Sequence, residues 1–332
     1  MKRWKIIIPD SLGRSADIEK AILGKFAKIV LLQSRHEKQI LSEIKDADAI
    51  LLWHEIQLTH ESIICMEKCK VIVRVGAGFD NVDIVAAAKK KIPVCNVPDY
   101  GINDVADHTM ALLLAIYRNL EDFTQRSRNF KHGWCWKGVK TKRFTGETLG
   151  IIGLGRIGTA VALRSKAFGV RVIFYDPYVH RGIEKSLQLV RKDELKDLLK
   201  ESDIISFHVP LTEETRNMAD KKFFSCLKPQ AVIINTARGG IIDLDALYQA
   251  MKKDVVRAAG LDVLPAEPPD ERNKLIKDWE NNAAWITHRL LITPHSAFYS
   301  EKAYQEMRVK AAQEVKRVLQ GKRPLNCVNA VL

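Results

Sequence analysis

The sequence has few of the residues that mark disulfide-rich, collagen-like or disordered proteins. Its 332 residues include only 6 cysteines, 11 prolines and 18 glycines, and charged residues make up 28 %. These proportions are typical of a globular chain and exclude a disulfide miniprotein. No apolar run approaches the roughly 18 residues of a membrane-spanning helix, because the run at residues 110–116 is far too short. At about 150 residues per domain, the length predicts two domains.

The cysteines also lack the paired spacing of a metal site or a disulfide framework. We therefore expect reduced thiols, no bound metal and a cytoplasmic location. The apolar run at residues 6–8 is too short for the core of a signal peptide.

Positive charge exceeds negative charge, with 53 Lys and Arg against 40 Asp and Glu and a net charge of +13. The basic residues are spread along the chain, with modest clusters at 89–91 and 131–143 and no zinc-finger spacing. This distribution favours a solvated surface and a small anionic substrate over a nucleic acid or a membrane as the partner.

Short apolar runs alternate with polar stretches of helical periodicity, which predicts two doubly wound parallel sheets in an α/β protein. The first series of predicted strands covers residues 4–9, 28–32, 49–53, 71–75 and 94–97. The second series covers residues 149–153, 171–175, 203–209, 231–235, 258–263 and 290–293.

Two helices frame the second series. Asn103 or Asp104 is a suitable N-cap for the first helix, whose apolar face is predicted to run from Val105 to Leu120. Ser300 is the expected N-cap of the other helix, which is predicted to continue through Val318 and to stop before Gly321.

A glycine-rich loop follows the first strand of the second series. The residues Gly153, Gly155, Arg156, Ile157 and Gly158 fit the pattern GxGxxG between a strand and a helix, the context that a dinucleotide-binding loop requires. The helix N-terminus would donate N–H groups to a pyrophosphate. Asp176 ends the next strand, where a carboxylate accepts hydrogen bonds from the adenosine ribose. The sequence therefore predicts NAD as the cofactor, while Arg181 nearby leaves dual use of NADP open.

Three further strands each end at a polar side chain with catalytic potential: Arg238, Glu267 and His295. Carboxyl ends of parallel strands line the ligand crevice in open α/β sheets. These three side chains are therefore candidates for one site.

The sequence resembles the D-isomer-specific 2-hydroxyacid dehydrogenases in the residues of its motifs and in their order along the chain. The segments that carry the resemblance are GIIGLGRIG, VIFYDP, NTARGG, LDVLPAEPP and ITPHSAF. Within that family it looks most like the C-terminal-binding-protein branch, through VRVGAGFDNVD, IPVCNVPDY and NCVN. The resemblance implies a Rossmann NAD-binding domain at 101–297, inserted in a flavodoxin-like substrate domain at 1–100 and 298–332. It also implies a homodimer formed by residues 104–129 and the arm 134–144.

The resemblance further implies the roles of the catalytic residues. His295 is the general acid/base, Glu267 orients it and favours its charged form, and Arg238 binds the carboxylate of the substrate. This assignment suits the chemistry, because an imidazolium stabilises and protonates the oxygen of a ketone that is being reduced.

Other residues are assigned on the same resemblance. The cofactor contacts expected in addition to the glycine loop and Asp176 are Thr109, His208, Val209, Pro210, Thr215, Thr236, Ala237, Arg238, Asp262 and His295. The substrate contacts expected are Trp53, His54, Arg74, Gly76, Ala77, Gly78, Arg238 and Phe298. For Trp53 and His54, packing at a strand end is an equal alternative. Phe298 replaces a tryptophan of the corepressors in this branch and points to an aromatic substrate side group.

The sequence departs from the family at residues 270–285, a polar, helix-compatible insert between Glu267 and His295. A rival function is an NAD(H)-regulated dimeric corepressor that binds peptides. Because such corepressors usually carry a long disordered tail and this sequence stops at Leu332, we expect an enzyme.

Overall fold

The computed structural model describes residues 3–10 and 15–329. It divides into two compact units, the first from the described residues of Met1–Gly101 and Tyr299–Leu332 and the second from Ile102–Phe298. Each unit is built on one sheet whose strands are all parallel. The predicted fold class, two doubly wound parallel-sheet domains, is confirmed.

Among its described residues, the first unit opens with five strands and four helices. The strands are β1 Trp4–Asp10, β2 Ala27–Ser34, β3 Ala49–Leu52, β4 Val71–Arg74 and β5 Val94–Cys95. The helices are α1 Asp17–Leu23, α2 Leu41–Ile44, α3 His60–Cys65 and α4 Ile84–Lys89. The sheet order β2-β1-β3-β4-β5 is the flavodoxin-like order. Strands β3 and β4 are buried along their whole length, because helices cover both faces of such a sheet.

The second unit contains seven strands and nine helices among its described residues. The strands are β6 Thr148–Ile152, β7 Arg171–Tyr175, β8 Val190–Arg191, β9 Ile204–Phe207, β10 Ala231–Asn235, β11 Val256–Leu261 and β12 Leu290–Ile292. The helices are α5 Ile102–Arg118, α6 Leu120–Arg128, α7 Phe130–Gly133, α8 Arg156–Ala167, α9 Ile183–Leu187, α10 Leu195–Glu201, α11 Lys221–Ser225, α12 Leu244–Lys252 and α13 Lys274–Glu280.

The seven strands lie in the order β12-β11-β10-β9-β6-β7-β8. From β8 to β11 this is the strand order of the Rossmann fold, and β12 extends the sheet by one strand. The chain order reverses between β6 and β9, which is therefore the switch point of the sheet. Such a switch point is where α/β sheets bind ligands.

The chain returns to the first unit in α14, Glu301–Leu319, which packs against α1, β3 and β4. Ser300 is its N-cap, as predicted, because its hydroxyl accepts the amide of Ala303 at 3.1 Å. Gly321 follows with a φ of 79°, a left-handed conformation that ends the helix.

Three details differ from the sequence predictions. Strand β8 was missed, because two residues are too few for a periodic signal. Helix α5 begins at Ile102, so Asn103 and Asp104 lie in its first turn rather than at its N-cap. Asn119 has a φ of 48° and interrupts the helix, so Leu120 starts α6 and is 52 % exposed instead of lying on the buried face.

Within the described part of the chain, no helix is both long and apolar enough to cross a membrane.

Candidate active site

The glycine loop leaves β6 in a conformation that only glycine adopts readily. Gly153 has a φ of 93°, and its amide donates to Tyr175 O at 3.0 Å. A Cβ atom on Gly153 would lie 2.8 Å from His208 O, so the loops after β6 and β9 touch here. The turn therefore holds its place through backbone packing that any side chain would disrupt.

The N-terminus of α8 follows directly. Gly155 is the N-cap and has no side-chain partner, and its Cβ position faces open space with no heavy atom within 4 Å. The first amides of a helix have no partner within it, and they carry the positive end of the helix dipole. A glycine facing open space in front of these donors fits the close approach of a dinucleotide pyrophosphate.

Asp176 follows β7 and joins two loops. Its Oδ2 accepts the amide of Leu154 at 2.8 Å, and its Oδ1 accepts the amides of Tyr178 and Val179 at 2.9 Å and 3.1 Å. The carboxylate is thereby held beside the glycine loop. This position fits the ribose hydroxyls of NAD, and a negative charge there opposes the 2′-phosphate of NADP.

The loop after β9 carries His208, Val209, Pro210 and Thr215. The Nε2 atom of His208 lies 2.9 Å from Ser206 Oγ, and burial lowers the pKa of His208 to about 3. The imidazole is therefore neutral at physiological pH. The hydroxyl of Thr215 donates to Pro210 O at 2.6 Å and accepts the amide of Thr212, which closes this loop into a compact turn.

The loop after β10 presents Arg238. The Asn235 side chain stabilises this loop, because its Oδ1 accepts the amide of Ala237 at 3.0 Å and its Nδ2 donates to Arg238 O at 2.9 Å. A Cβ on Gly239 would stand 1.9 Å from the carbonyl carbon of Leu264. Glycine at this position therefore lets the loops after β10 and β11 meet.

The loop after β11 carries Glu267, which pairs with His295 in the loop after β12. His295 Nδ1 lies 2.7 Å from Glu267 Oε2, and Glu267 Oε1 accepts the amide of Leu264 at 2.9 Å. Both side chains are partly exposed, at 24 % for His295 and 34 % for Glu267. The arrangement fixes the imidazole by one nitrogen against a carboxylate, which is the geometry of an oriented general acid/base.

Asp262 holds the turn that bears His295. Its carbonyl accepts the amide of His295 at 2.8 Å, and its carboxylate accepts the Thr293 hydroxyl at 2.6 Å and the amides of Ser296 and Ala297, both at 2.9 Å. The side chain is 1 % exposed. These bonds stabilise the turn in which His295 adopts a φ of 51°. Asp262 thus positions the turn that carries His295. Its expected contact with the nicotinamide stays a prediction.

Two more of the predicted residues lie beside this group. The Thr109 hydroxyl is fully buried and lies 2.8 Å from that of Thr236, which ties α5 to the loop after β10. The ring of Phe298 stands edge-on to the ring of His295, with 6.2 Å between centroids and an angle of 84°. An aromatic side chain therefore flanks the candidate general acid.

The other predicted substrate residues belong to the first unit. Trp53 is 4 % exposed, its amide donates to Asp10 Oδ2 at 2.9 Å, and its ring packs 5.5 Å from that of Tyr304. These contacts provide the packing role that the sequence left open for Trp53. His54 is exposed. Arg74 ends β4, and Gly76, Ala77 and Gly78 form the turn after it.

Sequence reasoning missed Asp10 and His108. Asp10 is fully buried, and its carboxylate accepts the amides of Trp53, Glu55 and Ile56 at 2.9–3.0 Å, while burial raises its pKa. His108 Nε2 lies 3.0 Å from Thr293 Oγ1 and 3.7 Å from Asp262 Oδ1. The available signal for Asp10 was a charged residue at the end of an apolar strand. His108 had none, because it lies on a helix far from Thr293 in the chain.

The insert at residues 270–285 forms α13 and packs on the second unit. Leu275 and Ile276 are buried in the core of that unit, and Trp279 Nε1 donates to Leu290 O at 3.1 Å. Lys252 lies over the Trp285 ring, 3.9 Å from its centroid. The insert is thus an integral part of the unit's packing.

The chain is similar in sequence and in fold to known proteins of one family. Residues 110–297 match the family model described as D-isomer specific 2-hydroxyacid dehydrogenase, NAD binding domain. The chain is 38 % identical over 326 residues to D-3-phosphoglycerate dehydrogenase of Methanocaldococcus jannaschii, covering 98 % of this chain and 59 % of that protein. It is 32 % identical over 328 residues to C-terminal-binding protein 1 of Caenorhabditis elegans, covering 96 % of this chain and 44 % of that protein. The chain thus spans about half the length of the curated relatives it matches.

A solved structure with a similar fold is D-lactate dehydrogenase from Aquifex aeolicus, complexed with NAD and lactic acid. It aligns with a TM-score of 0.82 and 31 % identity, covering 95 % of this chain and 96 % of that one. The predicted family and the predicted NAD-binding fold are confirmed. The chain belongs to the D-isomer specific 2-hydroxyacid dehydrogenase family and contains that family's NAD-binding domain.

Proposed function

We propose that this protein is an NAD-dependent oxidoreductase that interconverts a small D-2-hydroxy acid and its 2-oxo acid. The observation that carries the proposal is the pair of His295 Nδ1 and Glu267 Oε2, 2.7 Å apart, in loops at the carboxyl edge of the sheet that also bears the glycine loop. The similarity to a D-lactate dehydrogenase and a D-3-phosphoglycerate dehydrogenase supports this substrate class.

The catalytic roles follow from the chemistry of ketone reduction. When bound, the nicotinamide cofactor would supply the hydride chemistry at C2 of the 2-oxo or 2-hydroxy acid. With Nδ1 facing Glu267, we assign Nε2 of His295 to the substrate oxygen, where it donates a proton in reduction and accepts one in oxidation. The Glu267 carboxylate stabilises the imidazolium that reduction requires.

Arg238 is assigned to the substrate carboxylate. A guanidinium is permanently charged and presents a planar pair of donors that matches a carboxylate better than a lysine does. The net charge of +13 supports the choice of an anionic substrate. Phe298, edge-on to His295, supports a substrate whose side group is apolar or aromatic.

The first unit is assigned to the substrate domain, with the proposed boundaries at residues 1–100 and 298–332 around an NAD-binding domain at 101–297. Arg74 and the turn of Gly76, Ala77 and Gly78 are the proposed substrate contacts in it. The exposed position of His54, one residue after the buried Trp53, supports a pocket-wall role for His54 in particular.

The cofactor contacts are assigned around the glycine loop, with NAD preferred over NADP because of Asp176. The proposed assembly is a homodimer, which the exposed aromatic rings of the 134–144 arm support. The proposed location is the cytoplasm, whose reducing conditions match the six free cysteines.

A second candidate function is a dimeric, NAD(H)-regulated corepressor-like protein. The similarity to a C-terminal-binding protein favours it specifically. The two candidates differ in turnover, since an interaction protein of this kind needs to bind NADH but does not need to oxidise it at an enzyme's rate.

The test is NADH oxidation with a panel of 2-oxo acids: glyoxylate, hydroxypyruvate and its phosphate ester, pyruvate, phenylpyruvate and 4-methylthio-2-oxobutyrate. His295→Gln is the active-site variant, and His60→Gln, at an exposed position of α3, is the matched control. We expect turnover that His295→Gln reduces at least about 100-fold and His60→Gln leaves unchanged. NADH binding without turnover on any acid would favour the corepressor-like function.

A further inference from the structure

Two cysteines of the first unit lie opposite each other across an antiparallel bridge. Cys95 ends β5, and Cys327 belongs to the C-terminal segment that runs along the same strand. The flanking hydrogen bonds are Asn96 N to Asn326 O at 3.2 Å and Val328 N to Val94 O at 2.8 Å. Cys95 and Cys327 are therefore the non-hydrogen-bonded pair of this bridge.

This register has a geometric consequence for the two thiols. Residues opposite each other in a non-hydrogen-bonded antiparallel pair have Cα atoms about 4.5 Å apart and side chains on the same face of the ladder. Disulfides span Cα distances of about 4.4–6.8 Å. The backbone therefore needs no rearrangement for the two sulfur atoms to bond.

The surroundings differentiate the two thiols. Cys95 is fully buried and Cys327 is half-buried, with its Sγ 3.2 Å from Asn329 Oδ1. Burial raises the pKa of the Cys95 thiol, and hydrogen bonding with Glu314 and Cys327 raises it further. Glu314 is itself buried and accepts the amide of Leu325 at 2.7 Å. Cys327 is thus the thiol that a dissolved oxidant meets first, and Cys95 is the one held behind it.

We propose that Cys95 and Cys327 form a reversible intramolecular disulfide when the protein meets a peroxide. This modification site is independent of the proposed catalytic function. At rest both thiols are reduced, as in the structure. The disulfide joins the C-terminal segment to the edge strand of the first sheet and closes a covalent loop that contains the whole second unit.

The reaction balances in two steps. The Cys327 sulfur attacks one oxygen of hydrogen peroxide, the O–O bond breaks, and a sulfenic acid and one water form. The Cys95 sulfur then attacks the Cys327 sulfur, the S–O bond breaks, and the departing hydroxide leaves as a second water with the proton of the Cys95 thiol. Two thiols are oxidised, one peroxide is reduced to two waters, and a dithiol reductant reverses the change.

The disulfide stabilises the fold because it restricts the unfolded chain and prevents the C-terminal segment from separating from β5. The same segment is held otherwise by the Asn329 side chain, which accepts the amide of Val94 at 3.0 Å and donates to Ile92 O at 2.8 Å. Oxidation should therefore slow hydrogen exchange at the Val328 amide, which donates to Val94 O.

The experiment uses the full chain, first reduced and then treated with increasing hydrogen peroxide, blocked with an alkylating agent, digested without reductant and analysed by mass spectrometry. We expect a linked peptide pair containing Cys95 and Cys327, two hydrogens lighter than the separate peptides and separated again by dithiothreitol. The thermal midpoint should rise by roughly 4 °C or more on oxidation.

Two variants provide the controls. Cys327→Ser should abolish the link and the rise in thermal midpoint, and Cys135→Ser, which removes an exposed cysteine of the second unit, should change neither. The proposal is overturned if Cys135 is fully oxidised while Cys95 and Cys327 remain separate thiols. It is equally overturned if Cys327 proceeds to a sulfinic acid, or links to a different cysteine, without a bond to Cys95.

Discussion

At the scale of single residues, the candidate active site depends on carboxylates that position His295. Glu267 fixes His295 at 2.7 Å, and Asp262 fixes the turn that carries it through its carbonyl and both carboxylate oxygens. Asp262 is buried, and the hydrogen bonds to both of its carboxylate oxygens satisfy polar atoms that would otherwise destabilise the fold. Substitutions at such positions should separate charge effects from shape effects.

Glu267→Gln removes the charge while it keeps the size of the side chain. We expect the rate of 2-oxo acid reduction to fall about 100-fold, because the imidazolium of His295 loses its stabilising carboxylate. Steady-state rates of NADH oxidation measure the effect. Glu271→Gln, an exposed neighbour, is the control, and equal rates for Glu267→Gln and the wild type would remove Glu267 from the mechanism.

His208 gives a prediction about stability. Burial lowers its pKa to about 3, whereas an unfolded histidine titrates near 6.5. Below about pH 6.5 this histidine binds a proton in the unfolded state but not in the folded state. The free energy of unfolding therefore decreases as the pH falls towards 3, by up to about 1.4 kcal/mol per pH unit. His208→Gln lacks this effect.

We therefore expect the free energy of unfolding of the wild type, relative to His208→Gln, to fall by about 2 kcal/mol between pH 7 and pH 5. Urea denaturation of the cofactor-free proteins at both pH values measures the difference. An identical pH dependence for the two proteins would show that His208 takes up its proton in the folded state. His60→Gln serves as the exposed control.

At the scale of elements, the loops at the carboxyl edge of the second sheet are set by close backbone contacts. The Gly153 turn meets the loop after β9, and Gly239 lets the loop after β10 meet the loop after β11. The candidate catalytic and cofactor-binding residues are thus positioned by backbone contacts between neighbouring loops. Substitutions of side chains on the strands would change these contacts little.

Two glycines of the same loop should respond differently to alanine. A Cβ on Gly158 would lie 2.1 Å from Gly153 O, whereas a Cβ on Gly155 would meet no atom within 4 Å. We expect Gly158→Ala to lower the free energy of unfolding by about 2–3 kcal/mol and Gly155→Ala to lower it by no more than about 1 kcal/mol.

Gly155→Ala should instead weaken NADH binding at least about tenfold, because the new methyl group occupies the approach of the pyrophosphate. Denaturation curves and NADH fluorescence titrations measure the two properties. Unaltered NADH affinity in Gly155→Ala would place the pyrophosphate elsewhere than at the start of α8.

At the scale of the whole molecule, several large apolar side chains remain exposed close together in the sequence. Trp134 and Trp136 are 74 % and 73 % exposed, and Phe130 is 68 % exposed. Exposed aromatic side chains in one segment are typical of surfaces that a partner covers. This supports the proposed homodimer.

We expect the protein to sediment at about twice the 37.6 kDa mass of the chain. The double variant Trp134→Glu with Trp136→Glu should sediment as a single chain, because two buried charges would oppose association. Val85→Glu, at a similarly exposed apolar position of the first unit, should leave the mass unchanged. A single-chain mass for the wild type at micromolar concentration would contradict the proposed dimer.

The sequence by itself determined the fold class, the family and the type of cofactor, because these depend on local patterns. Apolar runs spaced by polar helical stretches predicted eleven of the twelve strands that the described residues form. A strand followed by GxGxxG and then by Asp176 predicted the dinucleotide loop. The motifs around Arg238, Glu267 and His295 are likewise short, so each can be identified from a few adjacent residues in the sequence. The strand β8 was missed for the corresponding reason, since two residues form no pattern.

Only the tertiary structure decided which distant residues meet. It joined Asp262 to the turn of His295, Asp10 to the amides around Trp53, and Cys95 to Cys327. It also placed Leu120 in solvent, because Asn119 leaves the helical conformation at a point that the periodicity of the apolar residues does not mark. Such contacts join segments far apart in the chain, and their partners are selected by sheet order and loop packing, which no local periodicity encodes.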